Sequence, residues 1–248
     1  MLPRLPAVAP PSLTPPPRGL CVIRFTWHDL LFAHWPMEAA TLRALVPAPL
    51  ELDLFDGRAW VGVIPFRMSG VRLRGLPAVP GLADFPEVNV RTYVRPGGRA
   101  GVYFFSLDAA SWPACRAARM WYHLPYFHAR MKVKMEDDTT TYQSIRREGP
   151  RPAEFRARYR PASEPSPAPP GSLAHWLTER YCLFSLDGRG GVHRADIHHA
   201  PWPLAEAEAE IASNSLAAAA GIHLPPEPPL LHFARRLEVR VWPPERIF

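Results

Sequence analysis

The sequence predicts an α+β fold: an antiparallel β-sheet or barrel with a few short helices at its edges. Three observations predict it. Paired runs of strand-forming residues flank tight-turn signals at Asp56-Gly57, Pro96-Gly97-Gly98 and Asp137-Asp138. The segments with helical character are brief, which favours hairpins closing on one another with helices at the periphery. The 248 residues are 47% hydrophobic and 21% charged, enough for one domain with a sizeable core.

The elements follow in chain order. Residues 1–18 carry prolines at 3, 6, 10, 11, 15, 16 and 17 and few apolar residues, so they read as a disordered or loosely packed extension to a single domain over 19–248. They contain no continuous apolar stretch and do not read as a signal peptide. Residues 20–25 and 29–35 have strand character. A short helix over 38–45 follows Pro36 and stops at Val46-Pro47-Ala48-Pro49. Strands are predicted over 50–55 and 59–66, over 88–94 and 101–107, over 127–135 and 139–146, and over 151–160 and 181–187. A proline-rich linker, 161–170, precedes a helix over 173–179 with Ser172 as its N-cap. The alanine-rich stretch 205–220 follows Pro201-Trp202-Pro203 and ends at Gly221, which predicts a third helix. Residues 231–242 alternate as a final strand.

Composition excludes several function classes. The formal charge is +6, but the arginines are scattered and no basic helix or aromatic RNA-binding signature occurs, so nucleic acid is not the expected partner. Arginine dominates the cations, since Lys132 and Lys134 are the only lysines. Three cysteines without a CxxC pair point to a reducing compartment, and the chain is placed in the cytoplasm. No run of 18 uncharged apolar residues occurs, so no membrane span is expected. His123, His128, His193, His198 and His199 do not repeat zinc spacing, and no metal or other cofactor is predicted. Neither Gly-x-Ser-x-Gly nor a phosphate loop is present, and Gly188-x-Gly190-Gly191 reads as a hairpin turn.

The most informative segment runs from Phe85 to Val94. With period two, Glu87, Asn89, Arg91 and Tyr93 share one face, and Val88, Val90, Thr92 and Val94 share the other. One reading turns the polar face to water and the aliphatic face to the core. The other turns the polar face into a barrel lumen and packs the aliphatic face under flanking helices. In that case Glu87 and Arg91 stand about 13 Å apart, as separate contacts in one cavity.

Several blocks carry a family resemblance: residues 59–66 (AWVGVIPF), 87–94 (EVNVRTYV), 101–109 (GVYFFSLDA), 124–126 (LPY), 177–181 (LTERY) and 198–204 (HHAPWPL). Over residues 24–247, about nine-tenths of the chain, they resemble the YqjF-like bacterial proteins. The resemblance implies the acetoacetate-decarboxylase fold, a cone-shaped antiparallel β-barrel with a closed cavity, and so favours the lumen reading. That decarboxylase carries Arg-Glu-x-x-Gly-x-Pro-Lys-Lys after an upstream strand glutamate. Here Arg119 and Pro125 match and Glu87 takes the glutamate's place, but Met120, His123, Tyr126 and Phe127 replace the Glu, the Gly and both lysines.

A Schiff base needs an amine, and neither the Tyr126 phenol nor an arginine supplies one. Lys132 and Lys134 share a strand face with Glu136 that reads as solvated. The expected function is therefore a barrel that binds a small organic acid or apolar metabolite, with Glu87, Asn89, Arg91, Arg119 and Tyr126 as its polar contacts. A lyase or hydratase using Glu87 and Tyr126 as acid and base is one alternative, and a structural or interaction role is the other. The sequence leaves the oligomeric state open.

Overall fold

The computed structural model describes residues 15–248, so most of the proline-rich extension lies outside the described residues. In chain order the strands are β1 (Ile23–Met37), β2 (Ala59–Leu73), β3 (Phe85–Val94), β4 (Gly101–Ala109), β5 (Tyr126–Glu136), β6 (Thr139–Arg146), β7 (Glu154–Pro161), β8 (Ser166–Pro167), β9 (Cys182–Leu186), β10 (Val192–His198), β11 (Pro203–Asn214), β12 (Leu230–Val241) and β13 (Glu245–Arg246). The helices are α1 (Ala39–Arg43), α2 (Trp112–Tyr122), α3 (Leu173–Thr178) and α4 (Leu216–Ala219).

The fold is a closed, mostly β barrel with few helices, and its pairing is mixed. Strands β12, β1, β2, β3 and β4 form one antiparallel wall, and both of its edge strands fork. Along β4, Val102 and Tyr103 pair with β9 and Leu107 to Ala109 pair with β5, both in parallel. Along β12, His232 and Phe233 pair with β11, while Arg240 and Val241 pair with β10. The shared wall is thereby closed twice. Strands β5, β6, β7 and β11 complete a nine-strand ring, and β9 and β10 complete a seven-strand ring.

Three sequence expectations are corrected. The antiparallel expectation fails at the β4–β5 and β4–β9 junctions. The first is made by α2, a crossover helix that the sequence reading missed: Ser111 caps it by accepting from the Ala114 amide, Pro113 sits in its first turn, and His123 ends it in the left-handed conformation (φ 53°). The predicted helix over 205–220 is instead β11 followed by the single turn α4. Its Ala-Glu repeat from Ala205 to Glu210 has period two, and pairing with β7 and β12 overrides alanine's helix preference. Residues 50–55 make only isolated bridges, Leu52 to Val94 and Phe55 to Arg58.

Because the shared wall has a ring interior on each side, β3 buries both of its faces. Val88, Val90 and Val94 pack with Tyr142, Phe155, Tyr159 and Phe233 in the nine-strand ring. The aliphatic face is thus covered by strands rather than by helices, and the polar face lines the interior of the seven-strand ring.

A single residue sets the matching face of β1. Asp29 adopts φ 51°, a conformation aspartate tolerates better than most residues, within the β-bulge between His28 and Ala33. Before the bulge Phe25 and Trp27 point into the seven-strand ring; after it Leu30 and Phe32 do, and Leu31 and Ala33 enter the other ring. The buried Asp29 carboxylate is held by Arg67 (2.5 Å) and Arg235 (3.2 Å), and its carbonyl accepts from the Tyr159 hydroxyl (2.9 Å).

Candidate functional site

The seven-strand ring encloses about 150 Å³ of free space. A single water needs roughly 10–15 Å³ on this measure, so the chamber accommodates an organic molecule of about ten heavy atoms. Glu87, Asn89 and Arg91 project into it from β3, and Tyr126 enters from the start of β5 beside its parallel partner Leu107. Phe66, Phe104 and Leu183 contribute apolar wall. Arg119 does not reach the chamber. It stands on the outer side of α2, donates from Nε to the Tyr126 carbonyl (2.8 Å) and pairs with Glu148. Its contribution is to anchor the turn that delivers Tyr126.

Glu87 is 3% exposed, and its Oε2 accepts a 2.8 Å hydrogen bond from the Tyr126 hydroxyl. Burial raises its pKa to about 8, against the opposing influence of the hydrogen bonds from Tyr126 and Asn89. The carboxyl is therefore largely protonated at neutral pH. Burial and the adjacent Glu87 push the Tyr126 phenol well above its ordinary range, so it remains a hydrogen-bond donor. The Asn89 Oδ1 is buried without a hydrogen-bond partner.

Arg91 lies at the opposite end of the β3 row. It makes only long contacts, 3.4 Å each, to the Tyr93 hydroxyl and the Leu177 carbonyl, and its guanidinium lies 5.7 Å from the rings of Phe32 and Tyr93. Among the described residues it has no carboxylate partner, and its Nε is buried and unpaired. Behind it, the buried His34 ring hydrogen-bonds the Tyr93 hydroxyl (2.6 Å). Burial, then the Arg91 charge, hold His34 well below its ordinary pKa and keep it neutral. Only glycine fits opposite this ring, because a Cβ at Gly62 would stand 2.9 Å from it.

A second arginine escaped the sequence reading. Ser172 caps α3 by accepting from the His175 amide (3.2 Å), and the helix delivers Thr178 and Arg180 to the chamber wall. Arg180 is 7% exposed. It donates to the Trp176 carbonyl (2.6 Å), pairs with Asp53 (2.5 Å) and lies over the Trp176 ring (4.3 Å), but its Nη2 is unpaired. The only sequence signal for it was membership of the 177–181 resemblance block. His199 also lines the chamber, its Nδ1 directed at the Ala200 carbonyl (2.7 Å) and its ring stacked on Tyr181.

Lys132 and Lys134 lie on the exposed face of β5, with Lys134 paired to Glu136, and neither lines the chamber. Among the described residues no group of three or more His, Cys, Asp or Glu could hold a metal ion, and no helix is long and apolar enough to cross a membrane. The three cysteines are free and buried.

Comparison with known proteins places this geometry. Residues 24–238 match the family DUF2071, described as an uncharacterized conserved protein. The chain is 48% identical over 227 residues to the uncharacterized protein YqjF of Bacillus subtilis, covering 92% of this chain and 93% of that one. Among solved structures it is similar to acetoacetate decarboxylase from Legionella pneumophila, with a TM-score of 0.65, 15% identity, and coverage of 95% and 93% of the two chains. It is also similar to the enduracididine biosynthesis enzyme MppR complexed with pyruvate, with a TM-score of 0.62, 11% identity, and coverage of 94% and 91%. At these identities the likeness to solved structures is one of fold.

Proposed function

The chain belongs to the DUF2071 family, and we propose that it uses the seven-strand chamber of its acetoacetate-decarboxylase-like barrel to bind a small organic acid. One observation carries the reading: Arg91 is a fixed cation on the chamber wall with no anionic partner among the described residues. Arg91 is half-buried, and a ligand carboxylate in the chamber would give its guanidinium the charged partner it lacks. The protonated Glu87 adds no competing negative charge, and the unpaired Arg180 Nη2 and Asn89 Oδ1 offer one further donor and one acceptor. Imine chemistry has no amine to use, since none of the residues lining the chamber is a lysine.

The test is calorimetric titration of the chain and of Arg91→Met with small carboxylates, pyruvate and butanoate among them. Loss of the charged contact lowers affinity by about tenfold or more. Equal binding by both proteins contradicts the reading.

The same chamber supports a second reading, an acid/base lyase or hydratase. A carboxyl that titrates near 8 next to a phenol suits proton transfer at neutral pH. Under that reading Glu87→Gln abolishes turnover of any acid the chamber takes, and unchanged turnover removes it.

A further inference from the structure

Next to the chamber lies a second, larger space of about 410 Å³, bounded by α2 and by the connection between β2 and β3. The two spaces share walls: Ile23, Phe25, Met68, Ala118, Tyr122 and Tyr126 line both. Tyr126 therefore stands where the two spaces adjoin, at a neck, with its hydroxyl on Glu87. The outer space is a vestibule with almost no polar surface. On the α2 side its wall is built from small residues, Ala114, Ala117 and Ala118, which leave the room open. On the other side Leu76, Val79 and Leu82 are 58%, 54% and 48% exposed, with Trp121 across the gap at 41%. Arg72 is the one charged residue along its wall, and it is occupied with the Gly70 carbonyl (2.9 Å).

Apolar side chains held this far into water around a mouth are unusual unless something covers them. Their continuity with a polar-ended chamber says what does. The chamber's unpaired polar atoms on Asn89, Arg91 and Arg180 lie on its inner wall, and the exposed apolar lip lies on the vestibule side. We propose that the ligand is an amphiphile, a monocarboxylic acid with an alkyl tail, whose head lies in the chamber and whose tail passes Tyr126 into the vestibule. This rests on the acid-binding reading above and adds the class of acid: long-chain, since Arg91 stands about 13 Å from Glu87 and about ten heavy atoms fill the chamber alone. The orientation is fixed because the head needs Arg91 and the tail needs the Leu76–Val79–Leu82 lip.

Titration with butanoate, octanoate, dodecanoate, hexadecanoate and octanol separates the two claims. Each methylene that enters the vestibule strengthens binding by about fourfold, so dodecanoate binds on the order of a hundredfold more tightly than octanoate. Ala117→Phe, at a residue that lines the vestibule but not the chamber, fills the vestibule and flattens the series while leaving butanoate affinity unchanged. Val79→Ser with Leu82→Ser, on the exposed connection and so without risk to the core, weakens dodecanoate and spares butanoate. If butanoate binds but affinity does not rise with length, the vestibule proposal is overturned and the acid-binding reading stands. If octanol binds through the vestibule and no acid does, the acid-binding reading falls, and this inference loses its head group. A lip variant that alters the oligomeric state and leaves the length series intact also overturns it, since the apolar lip then serves contact between copies of the chain.

Discussion

The two rings share five strands yet finish differently. The nine-strand ring is filled: Tyr142, Phe155 and Tyr159 are fully buried, and the two hydroxyls are satisfied by the Phe66 and Asp29 carbonyls. Its one buried ion pair is complete, with Arg146 bidentate on Asp108 at 2.7–3.1 Å and stacked over Phe127. The seven-strand ring holds free space, an arginine without an anion and several unpaired polar atoms. One wall thus faces a structural interior on one side and a site on the other. Unpaired hydroxyls occur on the filled side as well, at Thr140 and Ser144 beside Tyr142, so the difference lies in the free space and in the cation left without an anion.

The sharpest way to break this comparison is to damage each interior in turn. Phe155→Ala, in the filled ring, should lower unfolding stability by about 3–5 kcal/mol in a denaturant titration. Arg146→Ala should cost a similar amount, about 3–5 kcal/mol, because it strands the Asp108 carboxylate in the core. On the chamber side, Arg91→Met should leave stability within about 1 kcal/mol or raise it, since it removes an unpaired charge. A large loss there would make Arg91 part of the structural core.

Glu87 sharpens the comparison through pH. Its folded pKa is raised to about 8 from the ordinary 4.5. The folded chain therefore keeps a proton that the unfolded chain releases, and this contribution to stability is complete below about pH 4.5 and is lost as pH rises through about 8. Glu87→Gln should match the parent near pH 4 and exceed it by about 1–3 kcal/mol near pH 8, measured as thermal unfolding across the range. A difference that does not change with pH would show that the carboxyl is already ionised. The smallest effect is predicted for Lys132→Ala with Lys134→Ala, within about 0.5 kcal/mol and without change in ligand binding, because both side chains lie on the outer face.

Much of this arrangement was legible in the sequence, and its limits have physical causes. The alternation of Glu87, Asn89 and Arg91 marked the polar face, because period two survives in any strand. What lay beyond each face was not local information: Val88 and Val90 meet Tyr142 and Phe155, more than 50 residues away, so strands cover them where helices were expected. The Ala-Glu repeat of β11 was misread because alanine count outweighed its alternation. Arg119 matched a motif position, but the last turn of α2 rotates it outward while Ala118 and Tyr122 face inward. Arg180 stayed hidden because its partner Asp53 lies 127 positions earlier.

The most direct test of the central claim is a crystal structure grown with butanoate. A carboxylate is expected inside the seven-strand ring with its oxygens about 3 Å from Arg91 nitrogens, and the Glu87–Tyr126 hydrogen bond retained at the other end of the β3 row. A chamber closed by its own side chains, or an acid bound only on the outer surface, would contradict it.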